Sequence, residues 1–583
     1  MKRNLFLLCL VVFLSGCAFY SPRPTSEILA QVDDIMTGLD SSRPAILELN
    51  GKPALLYAAK DGRITFKHNE RLQHLDETAP VRGGNRFQIQ LQDNQLHALW
   101  WSHQDAKNLY ITSSVDAGVH FSKVAIVNDA NGILPPYSIV RGAEGVIGIA
   151  YHDERDPNYQ VYFNRSTDYG RTWARPDLRL DTPPAEKRSS DVQEPQSVEV
   201  GSTWISAWAD TAINEGRAVY RIVSRRSEDA GLTWSPPEIL FSADHHISSL
   251  MVRSNGSSIV IAADELTRGI FALTSQNAGR NWKNTGILPK TSGVSNSSLD
   301  LALAGNRAHL VWTEEPSKVK PRIMQASLNV EQAQWIGPAQ RLDTKSYDNT
   351  RSWVPAIQAT RKGILIAAWV DYRDIRPNIY LATSIDQGQQ WSEPKPLLKP
   401  GEHSAGWPQI MPWGDQTAIA YQVYRNDRTT DGQFILRTIS VDEKSGSLIG
   451  LASQTIFTDA ARKVKLEQRI KTLWDARVAG DYQNDYDVFD FAFKANTARK
   501  NYGEGLGVIK YLSYAVSDIA IEGNEANIKM KIGYEIPTTV LPYTGQKLTL
   551  QPTEVDALAK WVWVGSDWYL VYTPTMGSSP LEY

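Results

Sequence analysis

Ser166-Thr167-Asp168-Tyr169-Gly170-Arg171-Thr172-Trp173 is the stretch that decides the fold. It returns as Ser227-Glu228-Asp229-Ala230-Gly231-Leu232-Thr233-Trp234, as Ser275-Gln276-Asn277-Ala278-Gly279-Arg280-Asn281-Trp282 and as Ser384-Ile385-Asp386-Gln387-Gly388-Gln389-Gln390-Trp391. A weaker copy is Ser114-Val115-Asp116-Ala117-Gly118-Val119-His120-Phe121, and two decayed copies keep Ser327 with Asn329 and Ser440 with Asp442. The starting serines are spaced by 52, 61, 48, 52, 57 and 56 residues. Each interval fits one four-stranded propeller blade of roughly 40–50 residues plus loops. The octet reads as turn chemistry. Its Asp can accept hydrogen bonds from turn backbone, its Gly supplies a positive φ, its hydroxyls tie down nearby backbone, and its Trp packs beneath the blade. Asp116, Asp168, Asp229, Asn277 and Asp386 are therefore expected to be structural rather than catalytic.

Short strand-like runs surround each octet, for example Val146–Tyr151 and Gln160–Asn164 before the copy at Ser166. Turn signals between them argue for an all-β closure. The pattern S-x-D-x-G-x-T-W resembles the Asp-box, or bacterial neuraminidase repeat. The resemblance covers roughly residues 86–457 and implies a sialidase-like β-propeller. Residues 44–76 add three strand-like runs without an octet, either a further blade or the strand that closes the ring. The propeller is thus expected over 44–457 with seven or eight units. Sialidases have six blades, so the chain departs from them in architecture.

The 583 residues are enough for this propeller and a partner domain. The 61 basic and 64 acidic side chains give a net charge of −3, which excludes the broad basic footprint of a nucleic-acid binder. At the N-terminus, Lys2 and Arg3 precede an apolar run from Leu5 to Leu14 that is too short to span a bilayer. Leu14-Ser15-Gly16-Cys17 then resembles the lipobox of bacterial lipoproteins. It implies a signal peptide over 1–16, a lipid on Cys17 and a lipidated tether over 17–43. Ala18 in place of Asp points to the outer membrane, on its periplasmic or surface side. Cys9 and Cys17 are the only cysteines, so a processed chain has no disulfide and is held by its core alone. No metal or cofactor motif is present.

After Phe457 the pattern changes. Leu466, Ile470, Leu473, Trp474 and Val478 fall on one helical face within 462–480, and a second helical stretch carries Tyr486, Phe489, Phe491 and Phe493. Alternating runs at 515–522, 526–536, 557–564 and 568–572 follow. This is a small α+β layout over 462–583. Trp474 through Tyr482, together with Trp561-Val562-Trp563 and Asp567 through Tyr572, resembles the cone-shaped nuclear-transport-factor-two/ketosteroid-isomerase-like fold.

In a propeller the loops between second and third strands share one face with the inter-blade connections, and the octets occupy the other. Here that face is expected to carry Asp153-Glu154-Arg155, Trp208, Asp371-Tyr372-Arg373-Asp374, Arg351, Trp353 and Trp407. Arginines suit a carboxylate in bidentate geometry, and tryptophans suit the apolar face of a sugar. Arg155, Arg351 and Arg373 are the candidate anion contacts, and Trp208, Trp353 and Trp407 the candidate stacking surfaces. A working sialidase would need three converging arginines, an acid/base Asp and a Tyr–Glu pair. The family's Phe/Tyr-Arg-Ile/Leu-Pro segment is missing; the nearest stretch, Asn85-Arg86-Phe87-Gln88-Ile89, lacks the proline. The expected function is a lipid-anchored envelope protein that binds a glycan, peptide or protein partner. The alternative is a diverged sialidase-type exo-glycosidase.

Overall fold

The computed structural model describes residues 27–571 except 36–42, 76–86, 93, 103–106, 156–159, 182–194, 290–293, 317–319, 344–349, 375, 401–402, 425–431, 452–456, 482–484, 490–492, 495–498, 503–508 and 541–544. Eight antiparallel sheets follow one another along 45–449, each built from strands paired in chain order. The first, at 45–74, is the unit that carries no octet. The others begin at Phe87, Ile133, Gln196, Ile247, Val294, Ser352 and Ser404.

Shared cores order the sheets into a ring. Leu56, Phe66, Leu96 and Trp100 join the first to the second, and Leu99, Ile111, Ile149 and Tyr151 the second to the third. The series continues sheet by sheet to Ile366, Leu381, Ile419 and Tyr421 between the seventh and eighth. The last cluster joins Trp413, Ala420 and Phe434 of the eighth sheet to Leu55 and Tyr57 of the first. With eight sheets and eight such seams, the propeller has eight blades. Ile28–Val32, inside the stretch expected to be a tether, pairs with Gly432–Val441 as the outer strand of the eighth blade. The ends of the ring are thereby fastened by hydrogen bonds from distant parts of the chain.

The octets connect third and fourth strands in blades two, three, four, five and seven. Asp168 accepts from Ser166 Oγ (2.8 Å), Thr172 N (2.9 Å) and Thr172 Oγ1 (2.6 Å). Asp229 repeats the pattern with Ser227 and Thr233. The residue before each Gly is also left-handed: Ala117, Tyr169, Ala230, Ala278 and Gln387 have φ between 52° and 60°. The Gly has a second reason to be there. A Cβ at Gly231 would fall 2.7 Å from Phe163 of the third blade, and one at Gly388 would fall 2.8 Å from Ser327 Oγ of the sixth. Each turn is pressed against the preceding blade.

Beyond the ring, the helix Asp459–Val478 starts at Thr458, whose Oγ1 accepts from Ala461 N (3.2 Å). It lays Leu466, Ile470, Leu473 and Trp474 on Ile528, Met530, Trp561 and Trp568 of a four-stranded sheet. The sheet strands are Lys510–Glu522, Glu525–Val540, Lys547–Val564 and Asp567–Leu570. Val478, expected on the buried face, is 39% exposed at the last position of the helix. Among the described residues the expected second helical stretch is broken: one turn at Tyr486–Val488, a bridge from Phe489 to Leu570, then helical residues at 493–494 and the short helix Arg499–Tyr502.

The C-terminal unit rests on the seventh blade. Asn524 Nδ2 donates to the Arg373 carbonyl (2.7 Å), and Arg462 holds the Asn524 side chain from behind (2.9 Å). The Gly565 turn approaches Pro400 and donates its N–H to Asp374.

Candidate ligand site on the loop face

Three of the expected contacts are committed elsewhere. Arg155 donates to Asp129 (2.6 Å), Asp153 (2.7 Å) and Asp177 (2.9 Å), and its guanidinium stacks on Tyr162 at 4.1 Å. Three carboxylates around one cation leave no positive charge for a ligand; this side chain pins a loop to the seam between blades two and three. Arg373 is 5% exposed, bonds Asp371 through Nε (2.9 Å) and Nη2 (2.6 Å), and lies beneath Asn524. Trp208 is 1% exposed and belongs to the core between blades three and four. Its strand runs on to Asn214 as an extended hairpin, and the following Asp210 is paired across it with Arg221 (2.8 and 3.0 Å). The charge that suggests a loop there is a cross-strand ion pair.

Arg351, Trp353 and Trp407 occupy neighbouring blades, on the entry to the inner strands of the seventh and eighth. Both strands carry a bulge at that point, between Trp353 and Ala356 and between Gly406 and Gln409. Val354 and Trp407 take φ of 50° and 58°, a conformation that costs on the order of 1–3 kcal/mol for residues with a Cβ. Each precedes a proline, Pro355 or Pro408, which cannot donate to the ladder and is tolerated in strands at bulges. The sixth blade repeats the device with Ser298 at φ 51°. Bulges of this kind re-aim side chains.

At this corner Arg351 stacks on Tyr372 at 4.2 Å and Arg43 stacks on Trp407 at 4.7 Å. Tyr424 touches both pairs: burial pushes its hydroxyl up to about 12, with Trp407 as a hydrogen-bond partner and Tyr372 and Arg43 close enough to act on it, and the hydroxyl donates to Gln422 Oε1 (2.6 Å). On the first strand of the sixth blade, Asp300 accepts from Ile357 N (2.9 Å) with Arg253 3.6 Å away. Burial raises its carboxyl above the usual range, against the pull of Arg253. Arg43, Tyr424 and Asp300 were not among the expected contacts. Arg43 falls in the supposed tether and Asp300 in mid-strand; the available signal was the proline after Val354 and Trp407. Cys17, Arg86, Arg188, Asp191 and Glu194 lie outside the described residues.

The BNR repeat-like domain model matches residues 84–415, more than half of the chain. The chain belongs to the BNR repeat-like family. No relative is found among curated proteins. Among solved structures, a protein of unknown function from Dyadobacter fermentans is 14% identical, with TM-score 0.32 over 54% of this chain and 97% of its own. A NanB sialidase variant from Streptococcus pneumoniae is 8% identical, with TM-score 0.32 over 70% of this chain and 93% of its own. The polysaccharide lyase Uly1 is 9% identical, with TM-score 0.39 over 70% of this chain and 99% of its own.

Arg155 belongs to the third of eight blades, and Arg351 and Arg373 to the seventh, which puts them on opposite sides of the ring. The three candidate arginines do not form a single clamp.

Proposed function

We propose that this BNR repeat-like protein is a lipid-anchored component of the cell envelope, held through Cys17, whose loop face binds a glycan without cleaving it. The observation that supports this most is the pair of cation–aromatic stacks, Arg351 on Tyr372 and Arg43 on Trp407, gathered around Tyr424. Aromatic faces suit the C–H surface of a sugar, and guanidinium edges suit its oxygens or an acidic substituent. The non-catalytic part of the reading is supported by the dispersal of the arginines across the ring and by the three carboxylates that bind Arg155.

The test combines a glycan-binding screen with a turnover assay on full-length protein. Binding to an immobilised glycan that is weakened at least about tenfold by Trp407→Ala or Tyr372→Ala, with no release of product from fluorogenic sialosides in several linkages, is the expected result. Hydrolysis abolished by Asp300→Asn or Tyr424→Phe would overturn the non-catalytic reading. Glycan binding indifferent to both aromatic changes would overturn the choice of site.

A further inference from the structure

We propose that the seam between the seventh blade and the C-terminal unit is an anion-binding subsite, built jointly by both, that takes one carboxylate or sulfate group of an acidic saccharide. The inference rests on the loop-face reading for the saccharide, and on its own geometry for the anion. A cavity of about 50 Å³ opens there, lined from the propeller side by Lys320, Arg351, Tyr372 and Arg373 and from the C-terminal side by Glu525 and Lys560. Four cations meet two carboxylates: Arg373 is matched by Asp371, and Lys560 Nζ lies 2.9 Å from Glu525. Lys320 and Arg351 have no carboxylate partner among the described residues, which leaves the cavity two positive charges in excess. Arg351 Nε is buried and has no hydrogen-bond partner among the described residues. A buried guanidinium donor without an acceptor is costly, and an anionic oxygen is the group that satisfies both its charge and its geometry.

The cavity's water-accessible space, about 50 Å³, exceeds the roughly 10–15 Å³ that one water needs, enough for a carboxylate or sulfate group. Tyr372 is common to the cavity and to the cluster around Tyr424, so a saccharide stacked on the loop face can reach the seam with one acidic substituent. The C-terminal unit then has a role in recognition, because Lys560 closes the cavity and Asn524, fixed to the Arg373 carbonyl, holds that unit in register.

The experiment is equilibrium dialysis of the full-length protein against labelled glucuronate, inorganic sulfate, inorganic phosphate and neutral glucose. Glucuronate and sulfate should bind saturably, more weakly as salt is added, and glucose should not. Lys320→Gln and Lys560→Gln should each weaken glucuronate binding about fivefold or more. Glu525→Gln, which frees Lys560, should tighten it, a gain that misfolding cannot mimic. No saturable binding, or binding unchanged in all three variants, overturns the proposal, the second pattern meaning an adventitious ion only. Binding of phosphate alone overturns the assignment to a saccharide acid. The two readings separate cleanly. Glycan binding lost with Trp407→Ala but unaffected by Lys560→Gln removes the seam and leaves the loop face. Glucuronate binding lost with Lys560→Gln where no larger glycan binds keeps the seam and removes the loop face.

Discussion

Gly231→Ala tests whether the octets hold the ring together or merely turn the chain. Gly231 has φ of 80°, and a left-handed conformation costs a residue with a Cβ about 1–2 kcal/mol. Its Cβ would also fall 2.6 Å from Trp204 and 2.7 Å from Phe163. Neither ring can retreat: both are buried, in edge-to-face contact with centroids 6.1 Å apart. Overpacking of such a core adds about 1–3 kcal/mol. The sum is about 2–5 kcal/mol. Gly201 is the control, with φ of 62° and nothing within 4 Å of an added Cβ, so Gly201→Ala should lose only the backbone part. Both variants would be unfolded in urea, with the midpoints converted to free energy at a common slope. Gly231→Ala should be the worse by at least about 1 kcal/mol. Equal losses would show that the seam between blades three and four has room to relax, and that the octet acts only on its own turn.

Four more outcomes follow from the same geometry. Burial raises the Asp374 carboxyl to about 6, so its stabilising contribution is fully present below the unfolded value near 4 and is lost as pH rises through 6; Asp374→Asn should gain on the wild type between those limits in melting experiments across pH. Asp168, Asp229 and Asp386 are opposed by burial but held below the usual carboxylate range by the hydrogen bonds of their turns, so they stabilise above pH 4 and that support fades on further acidification; Asp168→Asn should flatten this acid limb of the stability curve. Trp208→Ala should cost about 3–5 kcal/mol in chemical denaturation as a core truncation, whereas the half-buried Trp407→Ala should cost far less and act on ligand affinity. Cys17→Ser should release the protein from membranes on fractionation; unchanged partitioning with no lipid mass on the N-terminus would refute the anchor.

The ring was legible because its signal is repeated. A Ser-Asp-Gly turn at intervals of 48–61 residues is tied to one place in a blade, between third and fourth strands, and the structure puts every full copy there. The blade without an octet was legible as strands but not in number, since nothing local distinguishes Ala45–Leu49 as an inner strand from a closing one. The closing strand is Ile28–Val32, whose partner lies some 400 residues later in Phe434–Arg437; such a pairing leaves no trace in local periodicity. The site was less legible for a related reason. Charge clusters near strand ends suggest rim loops in which pairs such as Asp371 and Arg373 brace one another; the structure shows that pair, and it places both it and Asp210–Arg221 within extended hairpins. A run of mixed charge looks the same in one dimension whether its partners are water or each other.

Compensation therefore separates the arginines better than position does. Arg155, Arg373 and Arg351 all stack on a tyrosine ring at 4.1–4.2 Å, and by that measure they are alike. They differ in the charge around them. Arg155 has three aspartates, Arg373 has a bidentate one, and Arg351 has none among the described residues. A buried cation that is fully matched contributes to the fold, and removing it strands its carboxylates. A cation left unmatched beside a small cavity is a cost the fold would shed unless something else neutralises it. On this argument Arg155→Gln should damage stability more than binding, and Arg351→Gln should damage binding and leave stability nearly unchanged or improved. Measuring melting and dialysis on both variants decides it. If Arg351→Gln unfolds the protein as readily as Arg155→Gln, its charge is being met within the chain and the seam has no call for an anion.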